Sequence, residues 1–315
     1  MARRTTVSLA LLTAGTVAGL TAATVAPAAA QGDPVPGHGN MYYLSGAYNT
    51  DGQAQAVIPF GDPDDTVYFG DWYGDGVDLP LVRRGNVFFV PSEDDPSQTA
   101  AVFAYGDPDD EVYIGDWNGD GVDSIAIRRG NTYFVKNDNQ RTGVADVVFS
   151  YGDPDDEVLV GNWDGTLTAP TDGQPGKGDT LMVRRGGEYF VRNDLQTGVA
   201  DYTFYFGDPG DEVLVGDWYE LAIKDQRMVP VSGDGADQLA VRRGNEYFQS
   251  TELAKAALQH TNPTTRQSFL YGEPDDDVFV ASFPTPVDAQ GQVVDDFDTA
   301  ADVIQADGLG VRRSE

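Results

Sequence analysis

The sequence predicts an all-β fold, a five-bladed β-propeller made of four-stranded blades, and three observations predict it. First, a turn motif of an aromatic residue, Gly, an acid and Pro occurs five times, with its glycines at Gly61, Gly106, Gly152, Gly207 and Gly272. Second, an Arg pair follows each copy, at Arg83-Arg84, Arg128-Arg129, Arg184-Arg185, Arg242-Arg243 and Arg312-Arg313. Third, the two ends of the repeat array supply complementary halves of one unit. Five units therefore share one plan.

The second repeat shows the strand pattern most clearly. Four runs of β-branched and aromatic residues, bounded by Gly, Asp or Asn, cover residues 111–117, 124–129, 131–136 and 145–151. Four strands in about 45 residues is the size of one propeller blade. An open solenoid of similar units is the alternative.

The ends of the repeat array favour a closed ring over the solenoid. Residues 39–44 and 56–60 precede the first turn motif and match third and fourth strands, whereas residues 277–280 and 309–313 follow the last motif and match first and second strands. An open array would leave two half-blades with bare strand edges. We therefore expect the last blade to be closed by pairing the N-terminal strands with the C-terminal strands.

Insertions and one helical segment interrupt the repeats. Residues 165–177, 220–232 and 284–306 enlarge the connection between the first and second strands of blades three, four and five. The same loop grows each time, so we expect one face of the propeller to be enlarged. Residues 251–260 begin with Thr and contain good helix formers, which predicts a short helix capped by Thr251.

Residues 1–30 have the features of an export signal. Arg3 and Arg4 precede an apolar stretch, and Ala28-Ala29-Ala30 offers a cleavage site of small residues. We expect a secreted, extracellular protein whose propeller domain spans residues 31–315, exported by the general secretory route or, alternatively, by the twin-arginine route. No later apolar run is long enough for a membrane span, so we expect no membrane insertion.

The net charge of the chain limits the classes of partner that it can bind. A formal net charge of −31 repels nucleic acid and attracts divalent cations. The 15 Phe, 15 Tyr and 4 Trp residues are too many for a disordered acidic chain and indicate a packed one. Because the chain has no Cys, its stability must come from its core, ring closure and bound metal rather than disulfides.

An acidic loop in the second repeat has the composition of a calcium site. It reads Asp116-Trp117-Asn118-Gly119-Asp120-Gly121-Val122-Asp123. Calcium favours several hard oxygen ligands from alternate positions of a tight loop that contains Gly. Asp116, Asn118, Asp120 and the Val122 carbonyl meet that need, and Asp123 is positioned in sequence to complete the set. The alternative is a metal-free turn, because Asp caps its own backbone and Gly accepts positive φ.

These motifs resemble the FG-GAP or VCBS-type repeats of integrin-alpha-like propellers, and in particular the Gly-Asp-Trp-x-Gly-Asp-Gly-x-Asp repeats of exported actinobacterial proteins. The resemblance covers essentially all of residues 31–315. It implies a calcium ion between the first two strands of a blade, held in blade two by Asp116, Asn118, Asp120 and Asp123. The last acid falls one position earlier than in the integrin pattern.

The loops of the other blades depart from this pattern. Blade one keeps Asp71, Asp75 and Asp78, but Tyr73 replaces an oxygen-bearing side chain, so we expect weaker calcium binding there. In blades three and four the insertions separate the first acids from Asp179 and Asp237. We expect calcium occupancy to fall from blade two outward.

The other recurrent residues each have two interpretations. A Trp follows the loop's first Asp or Asn in four repeats, and packing between blades is favoured over stacking on sugars. Each Arg pair should link a blade to both of its neighbours through carboxylates of the turn motifs, although a ring of Arg could instead bind an acidic glycan.

Catalysis has little support in the sequence. There is no Cys, and the two His residues, His38 and His260, offer no Ser-His-Asp arrangement. We therefore expect a non-catalytic, monomeric binding or adhesion module whose partner is an extracellular protein or a cell-surface glycan. A lectin-like propeller with several equivalent sugar sites is the alternative, followed by a carboxylate-dependent polysaccharide hydrolase.

Overall fold

Each sequence repeat folds into one four-stranded antiparallel sheet. The computed structural model describes residues 32–45, 54, 56–164, 178–217, 220–224, 227–231, 236–287 and 302–313. The predicted export signal lies outside these residues. The five sheets form a five-bladed propeller, which confirms the predicted fold class.

The blades contain strands in the order predicted from the repeats. Before the first turn motif lie β1 (Met41–Ser45) and β2 (Ala56–Pro59). Blade one contains β3 (Thr66–Gly70), β4 (Leu79–Arg84), β5 (Val87–Pro91) and β6 (Thr99–Ala104). Blade two contains β7 (Glu111–Gly115), β8 (Ser124–Arg129), β9 (Thr132–Lys136) and β10 (Val147–Ser150). Blade three contains β11 (Glu157–Gly161), β12 (Thr180–Arg185), β13 (Glu188–Arg192) and β14 (Tyr202–Tyr205).

Blades four and five carry the additions. Blade four contains β15 (Glu212–Gly216), the hairpin β16 (Glu220–Lys224) and β17 (Arg227–Val231), then β18 (Gln238–Arg243), β19 (Glu246–Ser250), α1 (Leu253–Leu258) and β20 (Thr265–Leu270). Blade five pairs β21 (Val278–Val287) and β22 (Asp302–Arg313) with β1 and β2. Its β1 strand joins β22 in the register Tyr43↔Val311. The expected closure of the ring by the two strand pairs is therefore confirmed.

The first strand of each blade lies innermost. β3, β7, β11, β15 and β21 contact one another in sequence, and β21 returns to β3. Such a strand is covered on both faces, and β7 is buried at every position after Glu111. The fourth strands instead alternate in burial, as the outer edge of a sheet does. The core consists of apolar layers between neighbouring blades.

An N-terminal segment enters the channel that the first strands surround. The Gly32 carbonyl accepts a hydrogen bond from the Ile114 amide, and the Val35 amide donates to the Val67 carbonyl. Gly32 has φ of +86°, and a Cβ there would collide with the Ile114 carbonyl oxygen. Only glycine therefore fits at this depth.

The outer strand edges are covered in a regular way. The amides of Ala104 and Ser150 donate to the hydroxyls of Thr142 and Thr197, which belong to the next blade. The Tyr205 amide donates to Asn262 in the same manner. In blade five the matching position is Pro59, which has no amide hydrogen to donate. These edges thus offer fewer free donors to another chain.

The helix is shorter than predicted and begins differently. Its N-cap is Glu252, which makes no side-chain cap hydrogen bond, whereas the Thr251 hydroxyl accepts from the Thr264 amide. The Thr251 cap was therefore wrong, because this hydroxyl ties the two ends of the connection together. Among the described residues, no helix is long and apolar enough to cross a membrane.

Candidate functional site

The acidic loop of blade two folds around the carboxylate of Asp116. Its Oδ1 accepts the amides of Gly119 and Asp120 at 2.8 and 3.1 Å, and its Oδ2 accepts the Gly121 amide at 2.8 Å. Asn118 lies beside Asp120, with 2.9 Å between Nδ2 and Oδ2. Three predicted calcium ligands are therefore gathered in one turn. The turn is equally consistent with the metal-free interpretation, because the Asp116 carboxylate already accepts hydrogen bonds from the loop's own amides.

Blade one repeats this arrangement. The Asp71 carboxylate accepts the amides of Gly74 and Gly76 at 2.6 and 2.7 Å, and Asp75 accepts the Val77 amide at 3.0 Å. The Tyr73 hydroxyl points away, to the Pro91 carbonyl at 2.6 Å. This loop therefore offers two side chains with oxygen donors, Asp71 and Asp75. The blade-two loop offers three, Asp116, Asn118 and Asp120.

The last acid of each loop lies elsewhere. The Asp123 Oδ2 accepts the Asp71 amide of the preceding blade at 2.8 Å, and the Asp123 amide donates back to the Asp71 carbonyl at 2.7 Å. Asp78 contacts Ser282 of blade five in the same way. The role of Asp123 and Asp78 as calcium ligands stays a prediction. Their observed contacts join one blade to the next.

This contact recurs at all five blade junctions. We call the five residues the axial aspartates: Asp78, Asp123, Asp179, Asp237 and Asp307. In four of the five junctions the carboxylate accepts the amide of the residue that follows the first strand of the preceding blade, and Asp78 accepts the amide of Ser282 within the longer β21. That strand ends in Gly in four blades, and a Cβ at Gly161 would lie 2.7 Å from the Asp237 Oδ2. The Gly of the repeat thus makes room for the next blade's aspartate.

Sequence analysis missed this role, although a signal for it was present. Blades three and four retain Asp179 and Asp237 although insertions interrupt the loops that these acids would complete. An interrupted loop gives no reason to keep an acid after the insertion as a calcium ligand. An aspartate that joins one blade to the next is needed there whether or not the loop is interrupted.

The axial carboxylates are poorly solvated and repel one another. Burial raises the pKa of Asp179 and of Asp307 to about 7. Burial, followed by the charges of Asp179 and Asp307, raises the pKa of Asp237 well above its ordinary value. Among the described residues, no group of three or more His, Cys, Asp or Glu side chains is placed to hold a metal ion.

In blades one to four, the second Arg of the pair binds the turn motif of its own blade. Arg129 donates to both carboxylate oxygens of Asp110, at 2.6 and 2.7 Å, and it also pairs with Asp107 at 2.6 Å. Arg185 pairs with Asp153 and Asp156 in the same way. We call the matching acids the turn aspartates: Asp65, Asp110, Asp156, Asp211 and Asp276.

The first Arg of each pair reaches the turn of the next blade through carbonyl oxygens. Arg128, only 4% exposed, donates to the carbonyls of Asp153 and Pro154 at 2.7 and 3.0 Å. Arg312 does the same across the ring closure, at Asp65 and Pro63. The expected link to one neighbouring blade is therefore present, through backbone carbonyls instead of carboxylates. The expected link of the second Arg to the other neighbouring blade was wrong in blades one to four, because the acids of the turn in its own blade lie within its reach.

The repeated Trp residues pack between strands. Trp72, Trp117 and Trp163 are 1–5% exposed. The indole nitrogens of Trp72 and Trp117 donate to the carbonyls of Leu79 and Ser124, which begin the second strands of their own blades. Trp218 lies outside the described residues. The three described indoles are covered, so they have no free face for stacking on a sugar.

A central cavity of about 860 Å³ opens at the end of the propeller opposite the axial aspartates. Glu111, Glu157 and Glu212 stand at its rim, and each pairs with the first Arg of its own blade, as Glu157 does with Arg184 at 3.0 Å. Blade one has Thr66 at this position, so Arg83 lines the cavity without that partner. The repeat is therefore uneven at this mouth.

Comparisons with known proteins return only structural neighbours. No protein-family model matches the chain, and no curated protein matches it. Two solved structures are similar to it, described as crystal structures of BBS1N in complex with ARL6DN, soaked with mercury and with lead. Each is 12% identical with a TM-score of 0.35, covering 72% of this chain and 73% of the other. Similarity at this level carries no argument about function.

Proposed function

We propose that this chain is an exported, non-catalytic, calcium-binding propeller that acts as an extracellular binding module. One observation carries the proposal: the motifs shared by the blades serve assembly, whereas the described insertions that differ between blades lie on one face. The axial aspartates, the Arg pairs and the described Trp residues all join blades or pack within them. The variable features are then the candidates for recognition.

That face is set by the topology of the blade. In an antiparallel blade the connections between strands one and two and between strands three and four lie at the same end. We call this end of the propeller the upper face. It carries the β16–β17 hairpin, the extensions of β21 and β22, and helix α1. Loops carried on a rigid scaffold are common places for binding residues.

Export and the acidic surface support an extracellular partner. Residues 1–30 have the composition of a signal segment, and a net charge of −31 disfavours nucleic acid. A protein or a cell-surface glycan remains the expected class of partner.

A hairpin exchange tests the binding face. In one variant, residues 217–237 are replaced by the eight residues of the blade-two loop, 116–123, and binding of the purified chain to intact cells and cell-wall material is measured by sedimentation. We expect binding to fall at least tenfold while the melting temperature stays close to that of the parent. The matched control adds one Gly to the Gly244-Asn245 turn on the opposite face, which has the same sequence as the Gly130-Asn131 turn. Equal binding by all three proteins would contradict the proposal.

Calcium is the second part of the proposal, and the blade-two loop is its best location. Asp116, Asn118, Asp120 and the Val122 carbonyl supply oxygen donors of the type that calcium prefers. Burial raises the pKa of Asp116, and a nearby cation would favour its ionised form. The donor set fits calcium in type, and blade one supplies Asp71 and Asp75 in the same positions.

Calorimetric titration of chelator-treated protein tests this part. We expect saturable calcium binding and a rise in melting temperature with calcium concentration, because a ligand that binds the folded state stabilises it. Asp120→Asn should weaken the binding. Asp138→Asn is the matched control, since Asp138 also accepts an amide two residues later, from Gln140 at 2.9 Å, outside the acidic loops. No binding at millimolar calcium would overturn the calcium proposal and leave the binding module standing.

A further inference from the structure

A cavity of about 590 Å³ lies on the upper face between blades three and four. Asp164, Asp201 and Tyr202 of blade three line one side, and Leu258, His260 and Asn262 of blade four line the other. Small-molecule pockets in proteins span about 300–1,000 Å³, so the volume is that of a ligand site. Helix α1 forms one wall and has no counterpart in the other described blades.

The junction between blades two and three shows what the helix changes. There, Asp146 accepts the Asn137 amide at 2.9 Å, as Asp201 accepts the Asn193 amide at 2.8 Å. Val147 takes the place of Tyr202 at the start of the fourth strand. The same backbone plan therefore carries an aromatic ring and a helix only at the cavity, among the described junctions.

His260 occupies a backbone conformation that favours glycine. Its φ is +53°, and it is the only described residue other than Gly with positive φ. Its amide donates to the Ala257 carbonyl, and the next amide, of Thr261, donates to the Ala256 carbonyl. This is the Schellman pattern at a helix C-terminus, in which Gly is usual at the His260 position. A strained side chain that lines a cavity indicates a use for that side chain beyond ending the helix.

One residue that lines the cavity carries a buried hydroxyl without a described partner. The Tyr202 hydroxyl is buried and has no hydrogen-bond partner among the described residues. Burial raises the pKa of Tyr202, so the group is a neutral donor and acceptor at ordinary pH. A buried polar group without a partner is costly, so this hydroxyl favours a rearrangement of the lining that brings a ligand hydroxyl within its reach.

The lining selects a class of ligand. Its described residues include two Asp and no Lys or Arg, which disfavours phosphates and acidic sugars. The Tyr202 ring and the exposed Leu258 side chain give apolar surface. Asn193, Thr261 and Asn262 add amide and hydroxyl groups. Apolar surface beside many neutral and acidic hydrogen-bonding groups matches a neutral sugar, which has an apolar ring face and several hydroxyls.

We propose that the cavity between blades three and four binds a single neutral or N-acetylated sugar residue, with Asp201, Tyr202 and His260 contacting it. The proposal rests on the binding function proposed above and specifies one of its sites. It differs from a lectin with equivalent sites in every blade, because one junction alone of those described carries the helix. The expected stoichiometry is one sugar per chain.

The test is to titrate the full chain with galactose, mannose and N-acetylglucosamine and to measure binding by calorimetry and by saturation-transfer NMR. We expect at least one of the three to bind saturably, at one site per chain, with a dissociation constant in the millimolar range. Asp201→Asn should weaken that binding at least tenfold. The matched control Asp146→Asn loses the equivalent carboxylate in blade two and should bind as the parent does.

A second variant separates binding from folding. His260→Gly relieves the positive φ, so we expect a higher melting temperature together with at least a tenfold loss of sugar binding. If His260 only ended the helix, the melting temperature would rise with binding unchanged. Equal losses in Asp201→Asn and Asp146→Asn, a stoichiometry near five, or no saturable binding of any of the three sugars would overturn the proposal. Retained calcium and cell-surface binding would then show that the broader function stands.

Discussion

The axial and turn aspartates use the same side chain in opposite electrostatic settings. Asp237 and Asp110 represent them, at 5% and 8% exposure. The Asp237 Oδ2 accepts the Asn162 amide at 2.6 Å, and the Asp110 Oδ2 accepts the Asp107 amide at 2.7 Å. Asp110 also receives two hydrogen bonds from Arg129, whereas the charges that act most strongly on Asp237 are those of other axial aspartates.

The difference shows in the pKa values. Hydrogen bonds from Arg129 lower the pKa of Asp110, against a smaller opposing effect of burial. Burial raises the pKa of Asp237, and the charges of Asp179 and Asp307 raise it further. One repeat therefore contains an acid whose ionised form is favoured at its outer turn and an acid whose ionised form is disfavoured near the axis. Exposure alone does not determine the state of a carboxylate; its neighbours do.

The largest effect is expected where the turn of blade one meets the end of the chain. Arg312 is 4% exposed and donates to the carbonyls of Gly39, Pro63 and Asp65. Arg312→Met leaves these acceptors without their donor and should lower the free energy of unfolding by about 3 kcal/mol or more. Urea unfolding measures this.

Arg83→Met is the matched control for Arg312→Met. Arg83 makes the equivalent contacts to Asp107 and Pro108, but it is partly exposed and lines the central cavity. Water can replace part of those contacts, so we expect a loss of about 1 kcal/mol. Equal losses in the two variants would show that ring closure adds nothing to the Arg contact.

A smaller effect is expected from crowding an axial aspartate. In Gly161→Ala the new Cβ would lie 2.7 Å from the Asp237 Oδ2 and 2.9 Å from the Trp163 ring. Both neighbours are buried, so we expect a loss of about 2 kcal/mol, typical of overpacking. Gly210→Ala is the control, because a Cβ there meets no atom within 4 Å. Thermal unfolding should separate the two, and similar melting temperatures would contradict the close approach.

The fold was predictable because the repeats encode it several times over. The turn motif and Arg pairs marked five units, and the half-blades before Gly61 and after Gly272 predicted the closure by β1 and β22. Strand bounds near residues 111–151 differ from the structure by one or two residues. Because the same pattern occurs five times, the strands could be identified even where a single segment was ambiguous.

The sites were less predictable because one residue type serves several roles. Asp123 follows the loop residues in sequence, yet its carboxylate turns to the preceding blade, and only the spatial neighbour Asp71 shows this. The cavity at His260 depends on packing between α1 and β14, which no spacing in the sequence encodes. The entry of Gly32 into the channel likewise depends on the assembled ring.

The smallest and most diagnostic effect is expected from removing one charge at a time. Asp110→Asn deprives Arg129 of one of its two ionised partners and should cost about 1–2 kcal/mol near pH 8. Asp237→Asn keeps an oxygen for the Asn162 amide and removes a charge that its surroundings disfavour. We expect that variant to be as stable as the parent or slightly more stable near pH 8. Urea unfolding in chelator-containing buffer measures both without interference from calcium.

The pH dependence should separate the two kinds of aspartate. A folded-state pKa of about 7 for Asp179 and Asp307 exceeds the unfolded value of about 3.9, so the folded protein binds protons that the unfolded chain has lost. The stability these groups contribute is complete below about pH 4 and is lost as the pH rises to about 7. For the turn aspartates the pKa is lowered, so their contribution is present above about pH 4 and is lost as the pH falls through their folded-state pKa.

The parent protein should therefore be more stable near pH 5 than near pH 8, the reverse of a protein in which every acid is paired with a base. Asp237→Asn should reduce that difference, because one axial proton no longer titrates and the remaining axial acids lose a like-charged neighbour. Asp110→Asn should leave the difference unchanged, because in the parent Asp110 is ionised at both pH values. If both variants retained the full difference between pH 5 and pH 8, groups other than Asp237 would have to cause it. If the parent showed no difference, the axial aspartates would have to be ionised in the folded protein, with a cation among them.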